Sequence, residues 1–158
     1  MSRLKTKLVV MLVPFVLAGC VSEPQPGVPS KPVVNLDAVL PPQSLLRDDT
    51  LAALAHDRNV SRLAYVGVWA TDGDKCAMMD QTEFEGFAVI TPDSIRQSGG
   101  TCTFVPTAAG EASVRLDATC KARGNRVFSI QMFNSQLLHL STAPGQPGTS
   151  MVRCRLHK

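Results

Sequence analysis

Residues 112–121 read Ala-Ser-Val-Arg-Leu-Asp-Ala-Thr-Cys-Lys, and this stretch decides the fold class. Ala112, Val114, Leu116, Ala118 and Cys120 alternate with Ser113, Arg115, Asp117, Thr119 and Lys121. Such a period of two belongs to a strand with one dry face and one wet face. The same alternation recurs at Phe128, Ile130 and Met132 against Ser129, Gln131 and Phe133. It returns near the end, where Val152, Cys154 and Leu156 alternate with Arg153 and Arg155. Further candidate strands are 63–70, 84–91, 94–97, 101–106 and 137–142. Between them lie turn-formers: Asp72-Gly73, Pro92-Asp93, Gly99-Gly100, Ala109-Gly110, Gly124-Asn125 and the run from Pro144 to Gly148. Short strands at this spacing without interleaved helices predict an all-β fold, a small eight-stranded antiparallel barrel or sandwich over residues 60–158. Trp69 shares strand parity with Leu63, Tyr65 and Gly67, which assigns it to the core.

Working outward, residues 45–58 read LLRDDTLAALAHDR. Asp49 or Thr50 would cap a short helix here, and His56 and Arg58 would lie near its electronegative end. The sequence thus assigns residues 45–59 to a linker with a short helix. Upstream, residues 20–44 hold six prolines, from Pro24 to Pro42. Proline lacks the amide donor that helices and central strands need, so this stretch reads as an extended tether, dispensable for folding.

The first twenty residues, MSRLKTKLVVMLVPFVLAGC, place a basic head before an apolar run from Leu8 to Leu17. That run is shorter than the ~20 residues a membrane-spanning helix needs. Residues 1–19 therefore read as a secretory signal peptide. The ending Leu17-Ala18-Gly19-Cys20 resembles a bacterial lipobox, in which the cysteine is lipidated, becomes the mature N-terminus and is acylated. Two or more chains anchor a protein stably. Val21-Ser22 follow in place of the aspartate that retains such proteins in the inner membrane. The resemblance thus implies an outer-membrane lipoprotein, on the periplasmic or cell-surface face.

Of the five cysteines, lipidation of Cys20 leaves Cys76, Cys102, Cys120 and Cys154, an even number in an oxidising compartment. Four cysteines allow three connectivities. Spacing favours Cys102–Cys120 across neighbouring strands, leaving Cys76–Cys154 to join the first and last parts of the domain. A four-cysteine zinc site would need a Cys-x-x-Cys pair, which is absent.

Formal charge is +3, and Arg3, Lys5 and Lys7 account for it, so the body from Cys20 onward is neutral. A neutral body lacks the dense cationic face that nucleic acid requires. The chain has no Gly-x-Ser-x-Gly elbow, His-Glu-x-x-His pair or phosphate-cradling glycine loop. His56, His139 and His157 fall into no catalytic pattern, with His139 expected on a solvent-facing strand position. Asp72, Asp74, Asp80, Glu83 and Glu85 read as a solvated acidic loop, the alternative being a hard-cation site. Lys121, Arg123, Arg126, Arg153, Arg155 and Lys158 crowd the last 38 residues, and alternation would place them on an exposed face. Met78-Met79 read as buried filler. No enzyme activity, cofactor or metal is expected.

Gly67-Val68-Trp69, with Cys76 seven residues beyond the tryptophan, resembles the opening of small bacterial periplasmic protease-inhibitor barrels. That resemblance implies an eight-stranded disulfide-bearing barrel whose N-terminal segment enters a protease cleft; in this chain the equivalent segment is tethered through Cys20. That family typically carries two domain cysteines, against four here. Ser98-Gly99-Gly100 is similar to the Ser/Gly loop of lipid-anchored lysozyme inhibitors, and no residue roles carry over from it. The reading is an outer-membrane-anchored lipoprotein whose barrel binds a macromolecular partner in the envelope, with inhibition of a protease or lysozyme implied by these resemblances. The alternative is a structural or accessory envelope lipoprotein without inhibitory activity.

Overall fold

Eight antiparallel strands close on themselves in sequence order in the computed structural model, which describes residues 38–57, 63–106, 113–143 and 145–157. Residues 1–37, among them those read above as signal peptide, lipidation site and tether, lie outside the described residues, as do the Gly110 turn, Arg58 and Lys158. The strands are β1 (Gly67–Ala70), β2 (Phe87–Ile90), β3 (Ser94–Gln97), β4 (Gly100–Phe104), β5 (Ser113–Cys120), β6 (Gly124–Asn134), β7 (Leu137–Ser141) and β8 (Thr149–Arg153). The choice between barrel and sandwich is settled by the seam, where Trp69 pairs with Arg153 and Ala70 with Val152.

β5 shows why its sequence was decisive. Its residues alternate exposed and buried along all their length, because the outer face meets water and the inner face meets the barrel interior. β1 and β2 are buried at every residue. Two helices account for this: α1 (Asp48–Asp57) and α2 (Gly73–Ala77) pack outside the barrel over these strands. The molecule therefore has two apolar clusters. One fills the barrel, with Trp69, Ile90, Ile95, Leu116, Phe128, Ile130, Leu138 and Met151. The other lies between the helices and the wall, with Leu40, Leu46, Ala53, Leu54, Val68, Met79, Val89 and the Cys76–Cys154 pair.

The second cluster corrects the domain boundary. Residues 38–57 belong to the folded body: Ala38 and Leu40 are buried, and Val39 bridges Arg155 in parallel. The Leu40 N–H donates to the Arg155 carbonyl at 2.7 Å, and the Arg155 N–H donates to Ala38 at 2.9 Å. A 3-10 turn at Gln43–Leu45 then leads into α1. Pro41 and Pro42 lie in no helix or strand, but Ala38 and Leu40 just before them supply apolar side chains and edge hydrogen bonds.

The last strand differs from its expected register. It ends at Arg153, and the inward residues are Met151 and Arg153, while Val152 packs on the outer cluster. A slip of one residue exchanges the two faces of a strand. The alternation of Val152, Cys154 and Leu156 marked the outer cluster, not the barrel interior. α2 also breaks the expectation that no helix lies between the strands; Asp72 caps it by accepting from the Lys75 N–H at 2.9 Å.

Candidate functional site

The four domain cysteines are joined as Cys76–Cys154 and Cys102–Cys120. Cys102 and Cys120 face each other directly across β4 and β5. Cys76–Cys154 ties α2 to the residue after β8, outside the short β1–β8 seam. The Cys102–Cys120 bond braces two strands of the wall, and the Cys76–Cys154 bond holds α2 against the barrel.

Charged residues do the same work elsewhere. Asp80, expected on a solvated loop, has a fully buried side chain. It accepts from Arg96 Nη2 at 2.7 Å, from the Thr50 hydroxyl at 2.6 Å and from the Arg47 N–H at 3.0 Å. Arg96 also pairs with Asp49 and lies over the Phe87 ring, 5.2 Å from its centroid. Burial works to raise the Asp80 pKa, but the Arg47 N–H, the Thr50 hydroxyl and the Arg96 charge outweigh it and hold the carboxyl below the usual 3.8. Asp80 sits at φ 64°, a left-handed conformation that aspartate tolerates better than most residues. Asp49 and Thr50, expected as helix caps, are instead the pieces of α1 that grip β3 through Arg96. The sequence displayed the acidic run and gave no sign that one member would find an arginine 16 residues on.

The remaining candidates are dispersed. Asp72 is held below its usual pKa by the Lys75 N–H of its capping bond. Asp74, Glu83 and Glu85 are exposed. Among the described residues no three His, Cys, Asp or Glu side chains gather to hold a metal ion. His56 and His157 are exposed, and His139 is half-buried on β7 with its ring 6.2 Å from Phe133. Met79 is fully buried, whereas Met78 is exposed.

The basic residues do not form one face. Arg155 is outside the barrel, donating twice to Gln136 Oε1 at 2.6 and 3.0 Å. Arg153 points inward at one end, where its guanidinium lies 4.2 Å from the Trp69 ring centroid. It donates to the carbonyls of Ala64 at 2.6 Å, Ser135 at 2.7 Å and Val66 at 3.1 Å. Arg153 and Trp69 seal this end, and a hollow of about 380 Å3 lies outside the seal, between His56, Leu63 and Gln136. Trp69 is fully buried as expected, its Nε1–H donating to the Tyr65 carbonyl at 2.9 Å.

Arg126 points inward at the opposite end. It pairs with Ala118 across β5–β6 and so shares the face of Ala118, Phe128 and Ile130. Here the barrel ends in a concavity of about 240 Å3, floored by Cys102, Phe128 and Met151 and rimmed by Gln97, Arg123 and Arg126. A larger groove of about 550 Å3 adjoins it, sharing Glu85, Phe87, Gln97, Ser98 and Gly100. The Arg123 guanidinium lies flat on the β3–β4 turn: a Cβ at Gly99 would meet its Cζ at 2.6 Å. Among the described residues, neither Arg123 nor Arg126 has an ion pair or hydrogen-bonded side-chain partner.

These features define a class: a closed, disulfide-braced barrel with a packed interior and one cationic mouth. No family model, curated protein or solved structure matches this chain.

Proposed function

We propose that this protein is a lipoprotein acylated at Cys20 and anchored in the outer membrane, whose small barrel binds a macromolecular partner of the envelope and inhibits a hydrolase of the protease or lysozyme kind. The observation that carries the binding reading is the contrast between a solid barrel and its wetted rim. Trp69, Ile90, Ile95, Leu116, Phe128 and Ile130 fill the interior, so recognition falls to the ends and the outer faces. The wall and the segments packed on it are braced by two disulfides and by the buried Asp80–Arg96 pair. A rigid surface loses little conformational freedom when a partner docks, which favours tight complexes with proteins. The same bonds support a non-enzymatic role, because they commit Asp49, Asp80, Arg96 and Arg153 to holding the fold.

The test has two arms. Crosslinking in cells followed by mass spectrometry identifies the captured partner, and addition of the purified chain to protease and lysozyme assays measures inhibition. Capture of a hydrolase together with loss of its activity is the expected result. Capture of an envelope component with every assay unaffected makes the protein a structural or accessory lipoprotein. Cys20→Ser should release the protein from the membrane fraction; an unchanged fraction with an unmodified Cys20 peptide overturns the anchor.

A further inference from the structure

We infer that the open mouth of the barrel is a carboxylate-binding pocket that receives a glutamate or aspartate side chain from an extended segment of a protein partner. The inference rests on the binding role proposed above and assigns that role a place and a chemistry.

Three observations converge on it. First, Arg126 is a half-buried, inward-facing cation without a partner among the described residues. A partly desolvated guanidinium is costly until an anion or a set of acceptors meets it. The opposite end of the same barrel shows what satisfaction looks like, since Arg153 there reaches three carbonyls and an aromatic face. Second, Arg123 is positioned by its neighbour. Its guanidinium occupies the space a side chain at residue 99 would take, so glycine at that position sets where the charge sits. Two guanidinium forks opening on one concavity suit the paired oxygens of a carboxylate. Third, the floor is apolar. Phe128, Met151 and the Cys102 half of a disulfide lie beneath the arginines.

Size and charge choose among anions. A concavity of about 240 Å3 equals the liquid volume of roughly eight waters, enough for one or two side chains. The methylenes of an acidic side chain and an adjacent apolar residue would cover the floor, which a bare inorganic ion would leave wet. Glu85 lines the same concavity, and its charge opposes a dianion such as phosphate more than a carboxylate monoanion. A peptide carboxylate is therefore favoured over a phosphate-bearing lipid.

The test uses the full chain and two heptapeptide pools, amidated at the C-terminus and randomised over non-acidic residues except for a central Leu-Glu in one and Leu-Gln in the other. NMR of arginine side-chain Nε–H groups reports both affinity and place. The glutamate pool should shift the Arg123 and Arg126 signals, and the glutamine pool should bind about tenfold more weakly or worse. Arg126→Gln and Arg123→Gln should each cost about tenfold, with melting temperatures within a few degrees of the parent. Gly99→Ala keeps the net charge and displaces the Arg123 guanidinium, so it should weaken the glutamate pool several-fold. Equal binding of the two pools overturns the inference, as does parent-like binding by Gly99→Ala and both glutamine variants. Capture of phosphatidylglycerol vesicles, with the peptides ignored, overturns it in favour of a lipid phosphate. A crosslinked partner that leaves both arginine signals unmoved would refute the pocket while leaving the proposed binding role standing.

Discussion

The two ends of the barrel each carry an inward-facing arginine, and they treat it in opposite ways. Arg153 is buried against Trp69 and donates to three backbone carbonyls that the 63–66 segment and the β6–β7 turn bring to it. Arg126 occupies the corresponding inward face at the other end with solvent above it and no protein acceptor among the described residues. An arginine inside a barrel is thus a structural bolt where acceptors surround it and a half-buried group open to a partner where they do not. Neighbouring backbone, not the side chain itself, separates the two roles.

The comparison can be broken at its strongest point first. Trp69→Ala removes the largest side chain at the sealed end and should cost about 3–5 kcal/mol in urea unfolding. Trp69 is also the only tryptophan, so acrylamide should quench its fluorescence poorly in the folded protein. Ready quenching, or an unchanged urea midpoint, would show that this end is not sealed. Arg153→Met tests the bolt itself and should cost about 3 kcal/mol, because it strips charged donors from buried carbonyls.

Removal of residues before Leu45 should cost about 2–3 kcal/mol through the lost burial of Ala38, Leu40 and their neighbours. A parent-like melting temperature would return residues 38–44 to the linker that the prolines suggested. Acid sharpens the role of the charged clamp that holds α1 and the 71–86 segment to β3. The folded-state pKa of Asp80 is depressed, so its contribution is complete above about 3.8 and is lost as pH falls through the folded-state value. Asp80→Asn should therefore be less stable than the parent at pH 7, with the gap narrowing in urea melts taken below pH 3.8. Smallest of all should be Arg126→Met, which is expected to change stability by within about 0.5 kcal/mol. A loss as large as that of Arg153→Met would erase the distinction between the two ends.

What the sequence disclosed followed which faces meet water. β5 and most of β6 were legible because their outer faces are solvated and their inner faces are dry. The pairing of Cys102 with Cys120 was legible through the same register. β1 and β2 lack alternation because α1 and α2 cover their outer sides; α1 was legible as a helix but not its docking place, and α2 is too short to show a helical period. Arg153 and Arg126 were assigned outward because charge usually marks the wet face. Pattern cannot register three carbonyls converging on one guanidinium, nor a barrel end left open. The Asp80–Arg96 pair escaped for a related reason, since a buried ion pair needs two ordinary-looking surface residues to meet in space.

The bond between Cys76 and Cys154 has a consequence for survival among proteases. It closes a covalent ring of chain that contains strands β2 to β8, because the two cysteines are 78 residues apart. A single cut in any loop of that ring yields one molecule with a nick, not two fragments. On a non-reducing gel such a molecule keeps its mass, and only a thiol separates the halves. A protease that reaches one loop therefore gains no release of product, and the domain stays in one piece.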